Sequence, residues 1–326
     1  MLSDLISTFT RMALIRFVGE TIPCELCGGT DHEIVGRRDR YGHRLQTVLC
    51  RGCGLVFTNP MPTQAEVDRY YADDYRKTYH NAYQPRKKAI RKALKGARHR
   101  FSSLAPLLRP GSVVLDVGAS GGEFVHEAQS QGCVASGIEP NRGFAAFAQR
   151  RYGVPIQIGG WEEAKIEPES VDVITANHVV EHFRHPLAAF RRFHGWLKPG
   201  GHFFISVPEV ESPQRTPYGR FHFAHLYNFN HASLEMMALR AGFEIDRNFD
   251  ARSTTLILKK LPEPVADWLR HPDNYAILSR YFREHTNRRY FLSATPYRRW
   301  FQRMWRLGSN MVAATFLSSN SGRPAR

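Results

Sequence analysis

The stretch VVLDVGASGG at residues 113–122, followed by GIEP at 137–140, decides the fold of this chain. An apolar run opens into a glycine-rich turn, and Glu139 follows Asp116 by 23 positions. This order of residues is typical of a strand, a tight turn, a helix and a second strand that ends in a carboxylate. It predicts a βαβ unit that binds a nucleoside.

One residue of the glycine-rich turn indicates whether the ligand carries a pyrophosphate. Ser120 stands where a dinucleotide-binding turn usually has its middle glycine, which lets the backbone approach a pyrophosphate. A ligand without phosphates tolerates a side chain at this position better. The turn therefore favours a nucleoside ligand that carries no pyrophosphate.

These residues resemble the class I S-adenosylmethionine-dependent methyltransferases, whose first motif has the form D-x-G-x-G-x-G and whose second strand ends in an acid. The resemblance extends through NHVVEH at 177–182 and LKPGG at 197–201, and covers roughly residues 111–260. It implies an α/β fold with a seven-stranded, doubly wound, Rossmann-like sheet in the strand order 3-2-1-4-5-7-6. It also implies S-adenosylmethionine as the cofactor.

The hydrophobic pattern agrees with such a sheet. Apolar runs near 112–118, 133–139, 154–158, 171–176 and 202–207 alternate with helical patterns. Two more runs, 243–249 and 253–260, are joined only by residues 250–252. A parallel crossover needs a dozen or more residues, so the sequence predicts an antiparallel hairpin here.

The resemblance also implies a cofactor site at the carboxyl ends of the strands, near the switch point between the first and fourth. Glu139 is expected to accept both ribose hydroxyls, because a carboxylate has two oxygens with a suitable separation for a vicinal diol. Asp116 is expected to orient the glycine turn. The other expected contacts are Gly118, Ala119 and Gly122 on the methionine part, Pro140, Trp161 and Glu162 around the adenine, and Asn177 and His178 near the sulfonium.

Methyl transfer to a hydroxyl or a carbon acid needs a base, and histidine suits that role. Six histidines follow the fourth and fifth strands: His178, His182, His185, His222, His225 and His231. We predict His225 as the catalytic base and His182 as the second candidate. His225 lies in the segment FAHLYNF at 223–229, which can cover a substrate.

Four of the five cysteines form two C-x-x-C pairs, Cys24 with Cys27 and Cys50 with Cys53. Two such pairs bring four thiolates around a tetrahedral ion, and zinc is the usual occupant. Because a closed four-cysteine site has no open position, we predict a structural zinc that takes no part in methyl transfer. Two disulfides are the alternative in a secreted protein.

The length of 326 residues suggests two compact units. No apolar run of 18 residues appears, so a membrane-spanning helix is not predicted. We divide the chain into an amphipathic arm at 1–19, a zinc ribbon at 20–60, a linker with a basic helix at 61–110, the methyltransferase core at 111–260 and a helical extension at 261–326. The basic helix is expected to pack one apolar stripe and to leave its charges in solvent. No signal peptide is recognised, so a cytoplasmic location is predicted.

Two features indicate which partners the protein could bind: the net charge of +15 and the composition of the C-terminal tail, residues 261–326. Seven arginines lie between Arg283 and Arg306, interleaved with aromatic residues. This composition suits an anionic membrane surface, at the inner face, or nucleic acid, while a helical cap with solvated arginines is the third possibility.

The segment from Pro208 to Asn230 has a composition that suits a polar, anionic acceptor. The ribbon ahead of the core is also similar to methyltransferases of sugar, polysaccharide and natural-product pathways. We therefore predict a small-molecule or glycan-type acceptor such as a nucleotide-linked sugar. A zinc-ribbon RNA methyltransferase and a noncatalytic binding protein are the alternatives.

Overall fold

The computed structural model describes residues 17–70, 87–212, 216–247, 249 and 254–298. Residues 1–16 of the predicted arm and residues 299–326 of the predicted tail lie outside them. The described strands, in chain order, are β1 (His32–Arg38), β2 (Arg44–Cys50), β3 (Val56–Thr58), β4 (Val113–Val117), β5 (Val134–Glu139), β6 (Ile156–Ile158), β7 (Val171–Asn177), β8 (Leu197–Ser206), β9 (Tyr227–Asn228), β10 (Phe243–Ile245) and β11 (Thr255–Lys260).

The α-helices are α1 (Gln64–Tyr70), α2 (Lys87–Leu104), α3 (Glu123–Ser130), α4 (Arg142–Tyr152), α5 (Pro186–Trp196), α6 (His231–Arg240), α7 (Asn274–Glu284) and α8 (Asn287–Leu292). Short 3-10 turns occupy Ala105–Leu107, Val180–His182 and Pro217–Gly219. Asparagine side chains begin two of the helices. The Asn141 side chain accepts from the N–H groups of Gly143 and Phe144, and Asn230 forms a capping box with Ser233.

The large sheet has the order β10-β11-β8-β7-β4-β5-β6. Read from its other edge, this is the predicted order 3-2-1-4-5-7-6, so the fold prediction is confirmed. β5, β4, β7 and β8 pair in parallel, whereas β11 runs antiparallel to both β8 and β10. The predicted terminal hairpin is also confirmed, but β10 ends at Ile245 and β11 begins at Thr255, so its strands are shorter than expected.

Both faces of this sheet are covered, as parallel sheets require. Neighbouring strand residues Val114 and Leu115 belong to different buried clusters, because successive side chains point to opposite faces. Phe190 and Phe193 of α5 cover one face, and Phe124 of α3 covers the other. These helices cover the faces of the sheet, and ligands of such folds bind at the carboxyl ends of the central strands.

The cysteine-bearing segment is joined to the core by a second sheet. This four-stranded sheet has the order β1-β2-β3-β9, so its last strand comes from the segment after β8. Val56 pairs with Asn228 and Phe57 with Tyr227. We call residues 20–60 the ribbon and residues 208–230 the cap segment, of which 213–215 lie outside the described residues.

The basic helix α2 packs as expected through its apolar stripe, since Ala97 and Phe101 belong to the cluster around Phe124. The expectation that its charges are all solvated is wrong for Arg100. The Arg100 side chain is only 15% exposed and pairs with buried Asp116. In the described parts of the chain, no helix combines the length and the apolar character that a bilayer crossing requires.

Candidate active site

Three residues of the glycine turn after β4 have left-handed backbone angles. Gly118, Ser120 and Gly122 have φ of +73°, +49° and +78°. A side chain at Gly118 would place its Cβ 2.3 Å from Val179, and one at Gly122 would place it 2.6 Å from Ala148. Ser120 adopts the same region although it is not glycine, at a cost of roughly 1–2 kcal/mol.

Glu139 stabilises this turn from the end of β5. Its Oε2 accepts a hydrogen bond from the Ser120 N–H and its Oε1 accepts one from the Asn141 N–H, both at 2.8 Å. Burial raises the pKa of Glu139, and these two N–H groups oppose the shift. Two donors leave acceptor capacity on each oxygen, so the carboxylate is still able to accept a ribose diol.

Asp116 lies behind the turn and is 2% exposed. Arg100 donates from Nη1 to Oδ1 at 3.0 Å and from Nη2 to Oδ2 at 3.3 Å, and the Thr175 hydroxyl donates to Oδ1. Burial raises the pKa of Asp116 while the charge of Arg100 opposes the shift. The acid at the start of the motif therefore anchors α2 over the sheet.

A cavity of about 700 Å³ opens between the glycine turn, α2 and the ends of the central strands. It is large enough for a nucleoside-sized ligand. Its lining includes two carboxylates, Asp116 and Glu123, and one arginine, Arg100. Burial raises the pKa of Glu123, with the charge of Asp116 adding to the shift. A surplus of carboxylate suits a ligand that carries a sulfonium and an ammonium better than one that carries phosphates.

The remaining predicted contacts divide into two groups. Gly118, Ala119 and Asn177 line the cavity. Pro140 and His178, which directly follow β5 and β7, are exposed and are not among its lining residues. Trp161 is buried, 5.8 Å from the Phe183 ring and 6.3 Å from the Phe193 ring between centroids. Glu162 beside it is exposed. Their predicted contact with adenine stays a prediction.

The two predicted base candidates lie together. The rings of His182 and His225 are 5.0 Å apart between centroids, in an edge-on arrangement. His182 Nδ1 lies 2.7 Å from the carbonyl oxygen of Ala224, which connects the turn after β7 to the cap segment. Glu181, His182 and His225 each bring one ligand atom within 4.8 Å of the others. His222 continues the row, with its ring 5.3 Å from that of His225.

The four cysteines also converge. The Sγ atoms of Cys24 and Cys53 are 3.5 Å apart, and those of Cys27 and Cys50 are 3.4 Å apart. A tetrahedral zinc with bonds of about 2.3 Å places its sulfurs about 3.8 Å apart, so this set fits zinc after small shifts. Hydrogen bonding with Cys24 lowers the pKa of Cys50 to about 7. Cys133, the fifth cysteine, is buried in the core as expected.

Three residues of the site were not singled out from the sequence. Arg100 is one of seven lysines and arginines in α2, and only its contact with Asp116 reveals its place. Glu123 follows the glycine turn directly, which is a signal that could have been used. Glu181 lies within the NHVVEH motif, but its burial becomes visible only when the cap segment covers it.

Comparison with known proteins identifies the family. Residues 86–248, half of the chain, match the family model described as "Methyltransferase domain". The chain belongs to this family. The segment carries the glycine turn, the acid at the end of β5 and the turn that contains His182, and it forms a class I S-adenosylmethionine-dependent methyltransferase domain.

Relatives of this methyltransferase share its central part. It is 34% identical over 103 residues to the ubiquinone biosynthesis O-methyltransferase of Pseudomonas syringae pv. tomato, which covers 30% of this chain and 44% of that protein. It is 30% identical over 122 residues to phosphoethanolamine N-methyltransferase 3 of Arabidopsis thaliana, covering 34% of this chain and 25% of that protein. The chain thus spans less than half the length of these relatives.

The structure of this chain is also similar to the solved structure of phosphoethanolamine N-methyltransferase 1 of Haemonchus contortus in complex with phosphoethanolamine and S-adenosylhomocysteine. It has a TM-score of 0.46 and 17% sequence identity, and covers 68% of this chain and 54% of that chain.

Replacing Glu139 by alanine is expected to weaken S-adenosylmethionine binding to the methyltransferase by roughly 10- to 100-fold. The variant loses the acceptor for the ribose hydroxyls and the tether of the Ser120 N–H, and a charge-assisted hydrogen bond is worth about 1.5–3 kcal/mol. Isothermal titration calorimetry measures the change in Kd. The control is Glu244→Gln at an exposed position of β10. An unchanged Kd in Glu139→Ala would contradict the assignment of Glu139.

Glu209 of the cap segment is expected to make the stability of the fold depend on pH. Burial and the charge of Glu211 raise its pKa from 4.5 to about 7. A carboxyl whose pKa is raised by folding stabilises the fold while protonated, and this contribution is lost as pH rises from 4.5 through 7. Glu209→Gln is therefore expected to raise Tm at pH 8.5 by roughly 2–4 °C, which corresponds to about 1 kcal/mol.

Differential scanning fluorimetry at pH 5.5 and 8.5 measures this effect. At pH 5.5 the variant and the parent are expected to melt at nearly the same temperature, because the carboxyl is then mostly neutral. Exposed Glu263→Gln is the control. An equal gain at both pH values would show that charge at Glu209 is not the cause.

Proposed function

We propose that this methyltransferase transfers the methyl group of S-adenosylmethionine to a hydroxyl of a small, polar, glycan-type acceptor. The cluster of His182, His225 and Glu181 is the observation that carries the proposal. S-adenosylmethionine supplies an already activated methyl group, so the protein has to orient the acceptor and remove its proton. Glu181, the first residue of the cluster, follows Asn177 of the cavity lining by four positions, and this supports a placement of the base near the methyl donor.

The cap segment and the ribbon would enclose the acceptor. Ser206 at the end of β8 lines the cavity, and the cap segment that follows returns through His222 and His225 to pair with β3. The Tyr41 ring, from the turn between β1 and β2, lies 5.7 Å from the His222 ring. An acceptor held here would contact groups from two sheets.

A second cavity supports an acceptor with anionic groups. It has a volume of about 470 Å³ and lies on the ribbon, with Arg37, Arg38 and Arg44 in its lining. Guanidinium groups bind phosphate oxygens in a bidentate manner. The phosphates of a nucleotide-linked sugar, or of a lipid-linked glycan intermediate, are the anionic groups that we assign to this surface.

We assign the four-cysteine site to a structural zinc. The set of four thiols suits zinc, and no position would remain open for chemistry. Cys24, Cys27, Cys50 and Cys53 would hold the two loops of the ribbon, which β3 then connects to the cap segment. The zinc would thus support the placement of His225 without contacting the acceptor.

We also propose a peripheral contact with an anionic membrane. Tyr218 stacks on Phe291 with ring centroids 5.7 Å apart, and Phe291, Leu292 and Tyr297 are exposed. Exposed Arg288 and Arg289 on α8 flank these side chains. Interfacial aromatics beside arginines suit anionic headgroups. Sedimentation with anionic vesicles at low salt tests this contact, and absence of co-sedimentation would exclude it.

The acceptor class is tested by transfer of label. The full chain is incubated with S-adenosylmethionine carrying a radiolabelled methyl group and with nucleotide sugars, lipid-linked glycans or structured RNA in separate reactions. Label is expected in one of the two glycan arms. Label in RNA alone would overturn the proposal in favour of an RNA methyltransferase, and binding of RNA retained at about 200 mM salt would point the same way.

A further inference from the structure

Glu181 is a buried carboxylate in the short 3-10 turn that follows β7. Its side chain is 2% exposed. Oε1 lies 3.7 Å from His178 Nδ1 and 3.8 Å from His182 Nε2, both beyond hydrogen-bond distance. Oε2 has no hydrogen-bond partner within the described parts of the chain. Burying an ionised carboxylate in this way is costly unless a cation lies beside it.

His182 has the orientation of a metal ligand. Its Nδ1 is within 2.7 Å of the Ala224 carbonyl oxygen, which only accepts, so Nδ1 carries the proton. In the neutral ring the lone pair is then on Nε2, the nitrogen that faces Glu181. Histidines that bind metals commonly donate their other N–H to a backbone carbonyl, because this fixes the tautomer and the ring orientation.

His225 completes a set of three. Its ring meets that of His182 edge-on, and the ligand atoms of Glu181, His182 and His225 all lie within 4.8 Å of one another. Bonds of about 2.0–2.2 Å to one ion place such atoms at most about 4.4 Å apart, so small rotations suffice. Two histidines and one glutamate leave positions open for a further ligand, unlike the four-cysteine set.

We propose that Glu181, His182 and His225 form a second metal site, which binds a divalent cation of the zinc and cobalt class. The buried carboxylate supplies charge and the two imidazoles supply the nitrogen ligands that these ions prefer. The cap segment brings His225 to a turn that follows β7, so the site forms only when the two sheets are assembled.

The role of this ion rests on the proposed function. With the cation bound, His182 and His225 would act as its ligands rather than as bases, and an acceptor hydroxyl in an open position would lose its proton to water more readily, because the cation lowers the pKa of a bound oxygen. The oxygen then forms its bond to the methyl carbon as the bond from that carbon to sulfur breaks, and the electron pair of the broken bond stays on sulfur. Binding of the ion itself does not depend on this role.

Cobalt binding tests the proposal. Full-length protein whose four-cysteine site is filled with zinc is titrated with Co²⁺, and visible absorption and calorimetry report the added equivalents. We expect one further equivalent in the parent protein, with its Kd raised at least about 100-fold in Glu181→Gln and in His225→Gln. Binding of S-adenosylmethionine by both variants verifies that they are folded.

Glu235 provides a matched control. It is also a buried glutamate beside two histidines, His271 at 2.7 Å and His231 at 3.9 Å, but its carboxylate already has a close partner. Glu235→Gln is expected to retain the additional cobalt equivalent. No additional equivalent in the parent, or equal affinity in Glu181→Gln, would overturn the proposal. Because binding is the readout, neither result depends on finding the acceptor.

Discussion

Replacing His225 by glutamine is expected to lower kcat by about 10²- to 10⁴-fold, the usual contribution of a positioned acid or base. Glutamine retains the size and polarity of the side chain but lacks the ring nitrogen that would take up the acceptor proton or, with a cation in the second metal site, bind that cation. The glycine turn and Asn177 line the cavity, whereas His225 is not among its lining residues. The Kd for S-adenosylmethionine is therefore expected to stay unchanged. A loss in kcat without a loss in cofactor binding is the result that places His225 at the acceptor.

Steady-state kinetics with the identified acceptor and calorimetry with the cofactor provide the two readouts. His231→Gln is the matched control, since this histidine begins α6 and its side chain is 41% exposed. A kcat for His225→Gln equal to that of His231→Gln would remove His225 from the reaction. His182→Gln would then be the next variant, because its ring adjoins that of His225.

The second large effect concerns the four-cysteine site. Cys53→Ser is expected to lose the structural zinc and to unfold the ribbon, since structural zinc contributes about 10–16 kcal/mol of apparent binding energy to small zinc domains. The cap segment should loosen with it, because Thr58 donates its N–H to the Leu226 carbonyl at 2.8 Å and Phe57 pairs with Tyr227. We therefore expect kcat to fall at least about 100-fold while cofactor binding persists.

Hydrogen exchange measured by mass spectrometry follows both segments, and elemental analysis counts the zinc. Faster exchange is expected in residues 20–60 and 221–229, with protection retained in β4 and β5. Cys133→Ser is the control, because Cys133 lies in the core and is not one of the clustered cysteines. A ribbon that stays protected after stoichiometric loss of zinc would show that the metal is not what stabilises it.

Contacts between the ribbon and other elements explain why loss of the zinc is expected to affect more than residues 20–60. Tyr227 donates its hydroxyl proton to Glu25 at 2.8 Å, and Arg240 of α6 donates to the backbone carbonyls of Glu25 and Leu26. On the other side, Asn274 of α7 donates to the Cys53 carbonyl at 3.0 Å. The ribbon is thus connected to the core and to the first helix of the C-terminal extension.

The local features of this protein could be predicted from the sequence alone. The glycine turn and Glu139 identify the βαβ unit, because few residue types tolerate left-handed backbone and because a strand ends where its apolar run ends. The hairpin of β10 and β11 follows from a connection too short for a crossover. The two C-x-x-C pairs predict their own convergence, since the spacing of ligands in each loop is a local property.

The assembly of the acceptor site was decided only by the tertiary structure. Arg100 is one of many charges in a basic helix until Asp116, 16 residues away, is found beneath it. Glu181 and His225 are 44 positions apart, and the pairing of β3 with β9 helps to place them side by side. Periodicity and spacing report neighbours along one element. Contacts between elements depend on how two sheets and their helices exclude water together, and that packing is not a property of any single segment.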